Sequence, residues 1–163
     1  MGTMNPDFNG DVALVTGAAG GMGRAIALAF ARAGASVVMG DLDGDGGVET
    51  ARLVGEAGGE GVFVNTDVSD SASIAALVDT AKSRYGGLHC AVNAAAIENE
   101  TVALHETTED TFDRMQAINL RGVFLSMKHE IAAMLGNEPR NGERGAPSLC
   151  AASACRSCPG RWR

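Results

Sequence analysis

Positive charge is in short supply in this sequence: 13 Lys and Arg stand against 20 Asp and Glu, a formal charge of −7 over 163 residues. A surface for nucleic acid or for an anionic membrane needs clustered Lys and Arg, so neither partner is expected. Long apolar runs are missing as well, and none approaches the roughly 20 residues that a membrane helix requires. No basic stretch followed by an apolar one opens the chain, so no signal peptide is read and the cytoplasm is the expected compartment. Cysteine is scarce and lopsided. Cys90 stands alone in an apolar segment, while Cys150, Cys155 and Cys158 crowd the end. A disulfide framework is not expected in a cytosolic chain of this kind. His89, His105 and His129 show no metal-ligand spacing, so no metal site is assigned.

What is present is an α/β pattern. The composition, 45% apolar and 20% charged, is that of a globular chain, and the length suits one α/β domain. From residue 11 to about 136, apolar runs alternate with helical periodicities, the signature of βαβ units. Val12–Val15, Ser36–Gly40, Gly61–Asn65 and Leu88–Asn93 read as four strands. Helices are expected over Gly21–Ala33, over Val48–Glu56, and from Ser69-Asp70 to the residue before Gly86. A fourth, long helix opens on a capping box of Thr107 and Asp110. Its stripe of Phe112, Met115, Ile118, Val123, Met127, Ile131 and Met134 is read as core. Residues 1–145 form the expected domain, and 146–163 an irregular tail.

The first strand runs into Thr16-Gly17-Ala18-Ala19-Gly20-Gly21-Met22-Gly23, which opens a helix. A dinucleotide needs a tight strand-to-helix turn whose backbone can approach the pyrophosphate, with the helix N-terminus aimed at it. Gly17, Gly21 and Gly23 meet that need, because a Cβ there would block approach or packing. Ala19, Gly20 and Met22 complete the turn. Asp41 ends the second strand, eighteen residues past Gly23. A carboxylate there can accept both hydroxyls of an adenosine ribose and would repel a 2′-phosphate. Leu42 follows rather than Arg, so NAD(H) is favoured over NADP(H).

The spacing T-G-x-x-x-G-x-G resembles the short-chain dehydrogenase/reductase family, and three further segments extend the resemblance over roughly residues 8–145. Asp67-Val68 looks like the family's adenine-contacting pair. Val92-Asn93-Ala94-Ala95-Ala96 stands where the family has N-N-A-G, with Asn93 and Ala95 matched and Ala94 and Ala96 departing from the pattern. Asn119 matches the helix Asn that holds a water in an Asn-Ser-Tyr-Lys proton relay. The resemblance implies a Rossmann-like, doubly wound parallel sheet in which strand order 3-2-1-4 is legible. It also implies an oxidoreductase passing hydride between NAD(H) and a secondary alcohol or ketone.

The family's chemistry also needs a Ser and a Tyr-x-x-x-Lys pair. Tyr85 is the only tyrosine and is followed by Gly86-Gly87-Leu88-His89, and no lysine follows Lys128. The chain is therefore expected to be inactive alone, and a catalytically silent NAD-binding fragment is the alternative. Without a fifth strand, the edge of the fourth would be exposed and could support self-association. In the tail, Cys150, Cys155 and Cys158 copy a plant-type ferredoxin spacing. The fourth thiolate would have to be Cys90, and the ferredoxin context is absent, so no cluster is assigned. Codon degeneracy lets a one-base shift of this stretch encode a strand, a Ser and a Pro-Gly segment in the family's order. The tail is read as an out-of-frame segment, with splicing and pseudogene truncation open as other origins.

Overall fold

The computed structural model describes residues 7–98, 102–139 and 144–149. The chain alternates strictly at first: β1 (Val12–Thr16), α1 (Gly21–Arg32), β2 (Ser36–Asp41), α2 (Gly44–Glu56), β3 (Glu60–Asn65), α3 (Ser71–Tyr85) and β4 (Cys90–Asn93). A 3₁₀ turn (Leu104–Glu106), α4 (Glu109–Gln116), a π-helical stretch (Ala117–Gly122), α5 (Val123–Leu135) and β5 (Ala146–Leu149) follow. All strands are parallel, in the order β3-β2-β1-β4-β5. This is the Rossmann-like doubly wound sheet, with 3-2-1-4 as expected.

A parallel sheet covered on both faces needs strands that are apolar throughout, and β1 (VALVT) is buried at all five positions. One face packs Leu14 and Val38 against Ile74 and Leu77 of α3 and Leu125 and Met134 of α5. The other packs Val15, Val37 and Met39 against Ala27 and Ala31 of α1 and Val54 of α2. Small residues on α1 and α2 let these helices sit close. At Gly47 a Cβ would lie 2.0 Å from the Phe63 ring, so this glycine makes room for an aromatic side chain.

Four expectations change. Residues 146–149 do not belong to an irregular tail, because Ala146–Leu149 pairs with Cys90–Asn93. The sequence Ala-Pro-Ser-Leu carries no alternation, and Pro147 removes a donor. An edge strand tolerates that loss because only one of its sides is paired. The expected bare edge of β4 is therefore covered, and β3 and β5 are the edges among the described residues. Cys150, Cys155, Cys158 and the rest of the stretch read as out of frame, residues 150–163, lie outside the described residues. The second helix starts at Gly44, earlier than Val48, because Asp43 accepts from the Gly46 N–H at 3.1 Å. Its Gly-rich first turn has weak helix propensity, which hid it. The cap of the fourth helix is Thr108, not Thr107: its Oγ1 accepts from the Thr111 N–H at 3.2 Å.

The long fourth helix is also phased differently. Phe112 is 56% exposed, and the buried positions are Gly122, Leu125, Ser126, Glu130 and Met134. The π turn between α4 and α5 shifts the buried face away from a stripe drawn at a constant 3.6-residue period. Gly122, Ser126 and Glu130 are buried beside Leu125 and Met134, while Leu120, Phe124 and Leu135 face outward.

Candidate functional site

Because every strand runs the same way, the segments that leave β1, β2, β3 and β4 all emerge along one edge of the sheet. That edge holds Gly17–Gly23, Asp41–Leu42, Asp67–Val68 and Asn93–Ala95.

The glycines of the first turn divide into two sets. Gly17 has φ +70°, and a Cβ there would stand 2.7 Å from the backbone of Ala94 and Ala95. At Gly23 a Cβ would come within 2.0 Å of the Gly17 carbonyl oxygen. These two are required by the protein's own packing. At Gly20 and at Gly21 (φ +50°) a Cβ would meet nothing within 4 Å, so their bare backbone faces open space. No side chain caps the N-terminus of α1. Its first-turn N–H groups, which lack intrahelical partners, are left for another acceptor. Ala18 and Ala19 are buried beneath the turn, and Met22 is half exposed.

Asp41 holds the turn from the next strand. Its Oδ2 accepts from the Ala19 N–H at 2.9 Å, and its Oδ1 from the Asp43 N–H at 3.0 Å. A carboxylate has about four acceptor sites, so two remain for a ligand. Leu42 beside it is 59% exposed. Arg24 was not legible as a site residue. Its Nε donates to Thr50 Oγ1 at 2.9 Å and its Nη2 to the carbonyls of Ala19 and Gly46. Thr50, fully buried, in turn lies 2.8 Å from the Ala18 carbonyl. The glycine turn is thus lashed to the first turn of α2.

Asp67 Oδ1 accepts from the Ser69 N–H at 2.8 Å and from its hydroxyl at 2.7 Å. Val68 is only 8% exposed, and Gly122 of the π stretch lies against it: a Cβ there would be 3.1 Å from Val68 Cγ2. The valine side chain is core, and its backbone is what remains to meet a ligand. Asn93 points inward rather than toward the open edge, and its Nδ2 donates to Glu130 Oε2 at 3.0 Å. Ala95 N–H donates to Thr16 Oγ1 at 3.3 Å.

Asn119 sits inside the π stretch, and its amide is spent on one backbone unit. The Ile97 N–H donates to Asn119 Oδ1 at 2.9 Å, and Asn119 Nδ2 donates to the Ile97 carbonyl at 2.8 Å. An Asn in mid-helix is unfavourable on propensity. This reciprocal pair gives it a role in holding the segment after β4 against the helix.

The structure does not bring a Tyr and a Lys together. Tyr85 ends α3, at the opposite edge of the sheet from the glycine turn, and burial pushes its phenol above the ordinary value. A phenol acting as acid/base at neutral pH needs the reverse shift. Burial, with Asp11 adding to it, pushes the Cys90 thiol up to about 11, so it is a poor metal ligand. Among the described residues no three His, Cys, Asp or Glu side chains converge, and no helix is long and apolar enough to cross a membrane.

A family model described as enoyl-(acyl carrier protein) reductase matches residues 17–143. An uncharacterised oxidoreductase of Bacillus subtilis is 40% identical over 77% of this chain and 46% of its own. The cis-4-hydroxycyclohexanecarboxylate dehydrogenase of Sinomonas cyclohexanicum is 40% identical over 80% of this chain and 52% of its own. The crystal structure of a short-chain dehydrogenase from Mycobacterium avium superposes with a TM-score of 0.74 at 37% identity, covering 79% of this chain and 49% of that one. The chain spans about half the length of the curated relatives it matches.

Proposed function

The chain belongs to the short-chain dehydrogenase/reductase family of oxidoreductases, and on that premise we propose that it binds NAD(H) along the carboxyl edge of its sheet. The observation that carries this reading is the division of the glycines. Gly17 and Gly23 pack the turn tightly, while Gly20 and Gly21 leave backbone open in front of an uncapped helix N-terminus. That is the shape and polarity a pyrophosphate requires. In this reading Gly17, Ala19, Gly20, Gly21, Met22 and Gly23 line the pyrophosphate, and Asp41 with Leu42 holds the adenosine ribose. Asp67 and the Val68 backbone meet the adenine, while Asn93 and Ala95 fix the wall behind the nicotinamide half. When bound, the cofactor takes up or supplies a hydride. The substrate is proposed to be a secondary alcohol or ketone, and the cytoplasm the compartment.

The Asp41 carboxylate favours NAD(H), since a 2′-phosphate beside it would put like charges together, and among the described residues the arginine at this turn is not free to offset them. Arg24 is already committed to three acceptors. Fluorescence titration is expected to show saturable NADH binding and much weaker NADPH binding. Asp41→Asn should weaken NADH about tenfold, the scale of one charge-assisted hydrogen bond, and narrow the gap to NADPH. Equal affinity of the unaltered protein for both would overturn the assignment.

A second reading is favoured by one observation: these 163 residues contain no Tyr-x-x-x-Lys pair. Asn119 is proposed as the family's helix Asn, but nothing here supplies the phenol and ammonium it would serve. The chain alone is then a nucleotide-binding unit without turnover. Incubation with NAD and a panel of secondary alcohols should give no NADH absorbance above background, and measurable turnover would refute this second reading.

A further inference from the structure

Glu130 is a carboxyl group in an unexpected place. It lies in the middle of α5, is fully buried, and faces the sheet. Its partner is Asn93, itself 4% exposed, whose Nδ2 donates to Glu130 Oε2 at 3.0 Å. Among the described residues neither Glu130 Oε1 nor Asn93 Oδ1 has a hydrogen-bond partner. A carboxylate buried with a single neutral donor is poorly solvated, and the uncharged acid is the form such a site tolerates. Burial accordingly pushes the Glu130 carboxyl up to about 7, with only the Asn93 bond acting the other way.

What makes the pair more than a packing detail is where Asn93 leads. The next residue, Ala94, donates its N–H to the Thr16 carbonyl at 3.3 Å, and Ala95 to Thr16 Oγ1. Gly17 lies directly on Ala94 and Ala95, and Ile97 is clasped by Asn119. The bond that Glu130 accepts therefore ties to α5 the same strand end on which the glycine turn rests, beside the ladder that pairs Asn93 with Thr16 and Leu149. We propose that Glu130 and Asn93 form a proton-sensitive latch: the uncharged acid keeps the dry contact between α5 and β4 closed. Ionisation, though it strengthens the Asn93 bond, leaves a buried charge with no other donor among the described residues. That charge opens the contact to water, loosens the segment Ala94–Ile97 and weakens nucleotide binding at the turn beside it.

The elements packed on α5 are α3, the π stretch, β4 and β5. From α3, Tyr85 packs on the same core, while Lys82 and Asp79 form an exposed ion pair at 3.5 Å. Arg121 of the π stretch donates from the surface to the Ser69 carbonyl. Cys90 is the ionisable residue of β4, and β5 has none. On α5 itself, Lys128 is exposed and His129 Nε2 lies 2.9 Å from Ser71 Oγ. None of these charges bears on Glu130, so the latch titrates on its own burial.

The nucleotide half of the proposal rests on the NAD(H) reading, but the latch can be tested without it. A carboxyl raised from its ordinary 4.5 to about 7 stabilises the fold in its protonated form. That contribution is fully present below pH 4.5 and is lost as pH rises through 7. Between pH 6 and pH 8.5 the melting temperature of the full chain should fall by roughly 4 °C more than that of Glu130→Gln. Glu130→Met serves as a second uncharged control should the glutamine variant fold poorly. Amide exchange at Ala94–Ile97, corrected for intrinsic rate, should quicken over the same range only in the unaltered protein. Equal pH dependence of melting and exchange in all three proteins would overturn the latch. If NADH binds but weakens in parallel with pH in all three, the coupling is overturned. If NADH binds to none while the melting difference persists, the NAD(H) reading fails and the latch stands.

Discussion

Gly23→Ala is expected to abolish measurable NADH binding and to lower the melting temperature by about 10 °C. The added methyl would sit 2.0 Å from the Gly17 carbonyl oxygen and 2.6 Å from its carbon, both backbone atoms that no rotamer change can move aside. Gly17 cannot yield either, because it is already pressed on Ala94 and Ala95 on its other side. Overpacking against a flexible side chain typically costs about 1–3 kcal/mol. Against backbone locked on two sides, about 3 kcal/mol or more is expected, which for a chain of this size gives the stated shift. Gly20→Ala is the matched control. Its methyl would meet nothing within 4 Å, so stability should hardly change while a nucleotide approaching that open face would be impeded. Thermal melting of both variants, followed by NADH titration, separates packing from ligand approach.

Asn119→Ala should cost about 2 kcal/mol and free the segment after β4. The substitution leaves the Ile97 N–H and carbonyl without the partners they now have at 2.9 and 2.8 Å. Each buried unmet polar group costs about 1–3 kcal/mol, and the half-buried position of Ile97 keeps the sum toward the lower end. Asn119→Asp makes the claim sharper, since it keeps the acceptor for the Ile97 N–H but sets a carboxylate oxygen against the Ile97 carbonyl in place of the donor. Its cost should be at least that of the alanine variant. Urea denaturation with an unchanged slope would read this order. An alanine variant as stable as the unaltered protein would show that the clasp contributes nothing.

The parts of this site that sequence reading reached are those written in local chemistry. A glycine turn after a strand, an acid ending the next strand and a parallel alternation each follow from residue type and spacing, and β1 to β4 came out in their observed order. What escaped depends on partners far along the chain. Arg24 looks like any surface arginine until α2 arrives beside it. Glu130 lies off the stripe drawn through Phe112 and Met127, which assumes one constant helical period that the π turn breaks. Asn93 matched the expected motif, yet only tertiary packing shows that its amide turns inward. Ala146–Leu149 becomes a strand because β4 offers it a ladder, not because its own pattern alternates. The cap at Thr108 rather than Thr107 is a choice between adjacent threonines that backbone geometry decides.

The position of β1 at the centre of the sheet has a consequence for assembly order. Its pairing with β2 joins Val12 to Ser36, a short loop closure, whereas its pairing with β4 joins Ala13 to Cys90. Separation in sequence governs the entropy of bringing strands together and slows folding topologies rich in distant contacts. The β1-α1-β2-α2-β3 half, with the glycine turn and Asp41 already in it, can therefore condense first. The second flank of β1 stays an unfilled slot until residue 90 arrives. During that interval the unpaired N–H and C=O edge of the sheet's central strand is open to any extended peptide nearby, which makes it an aggregation hazard on the folding route.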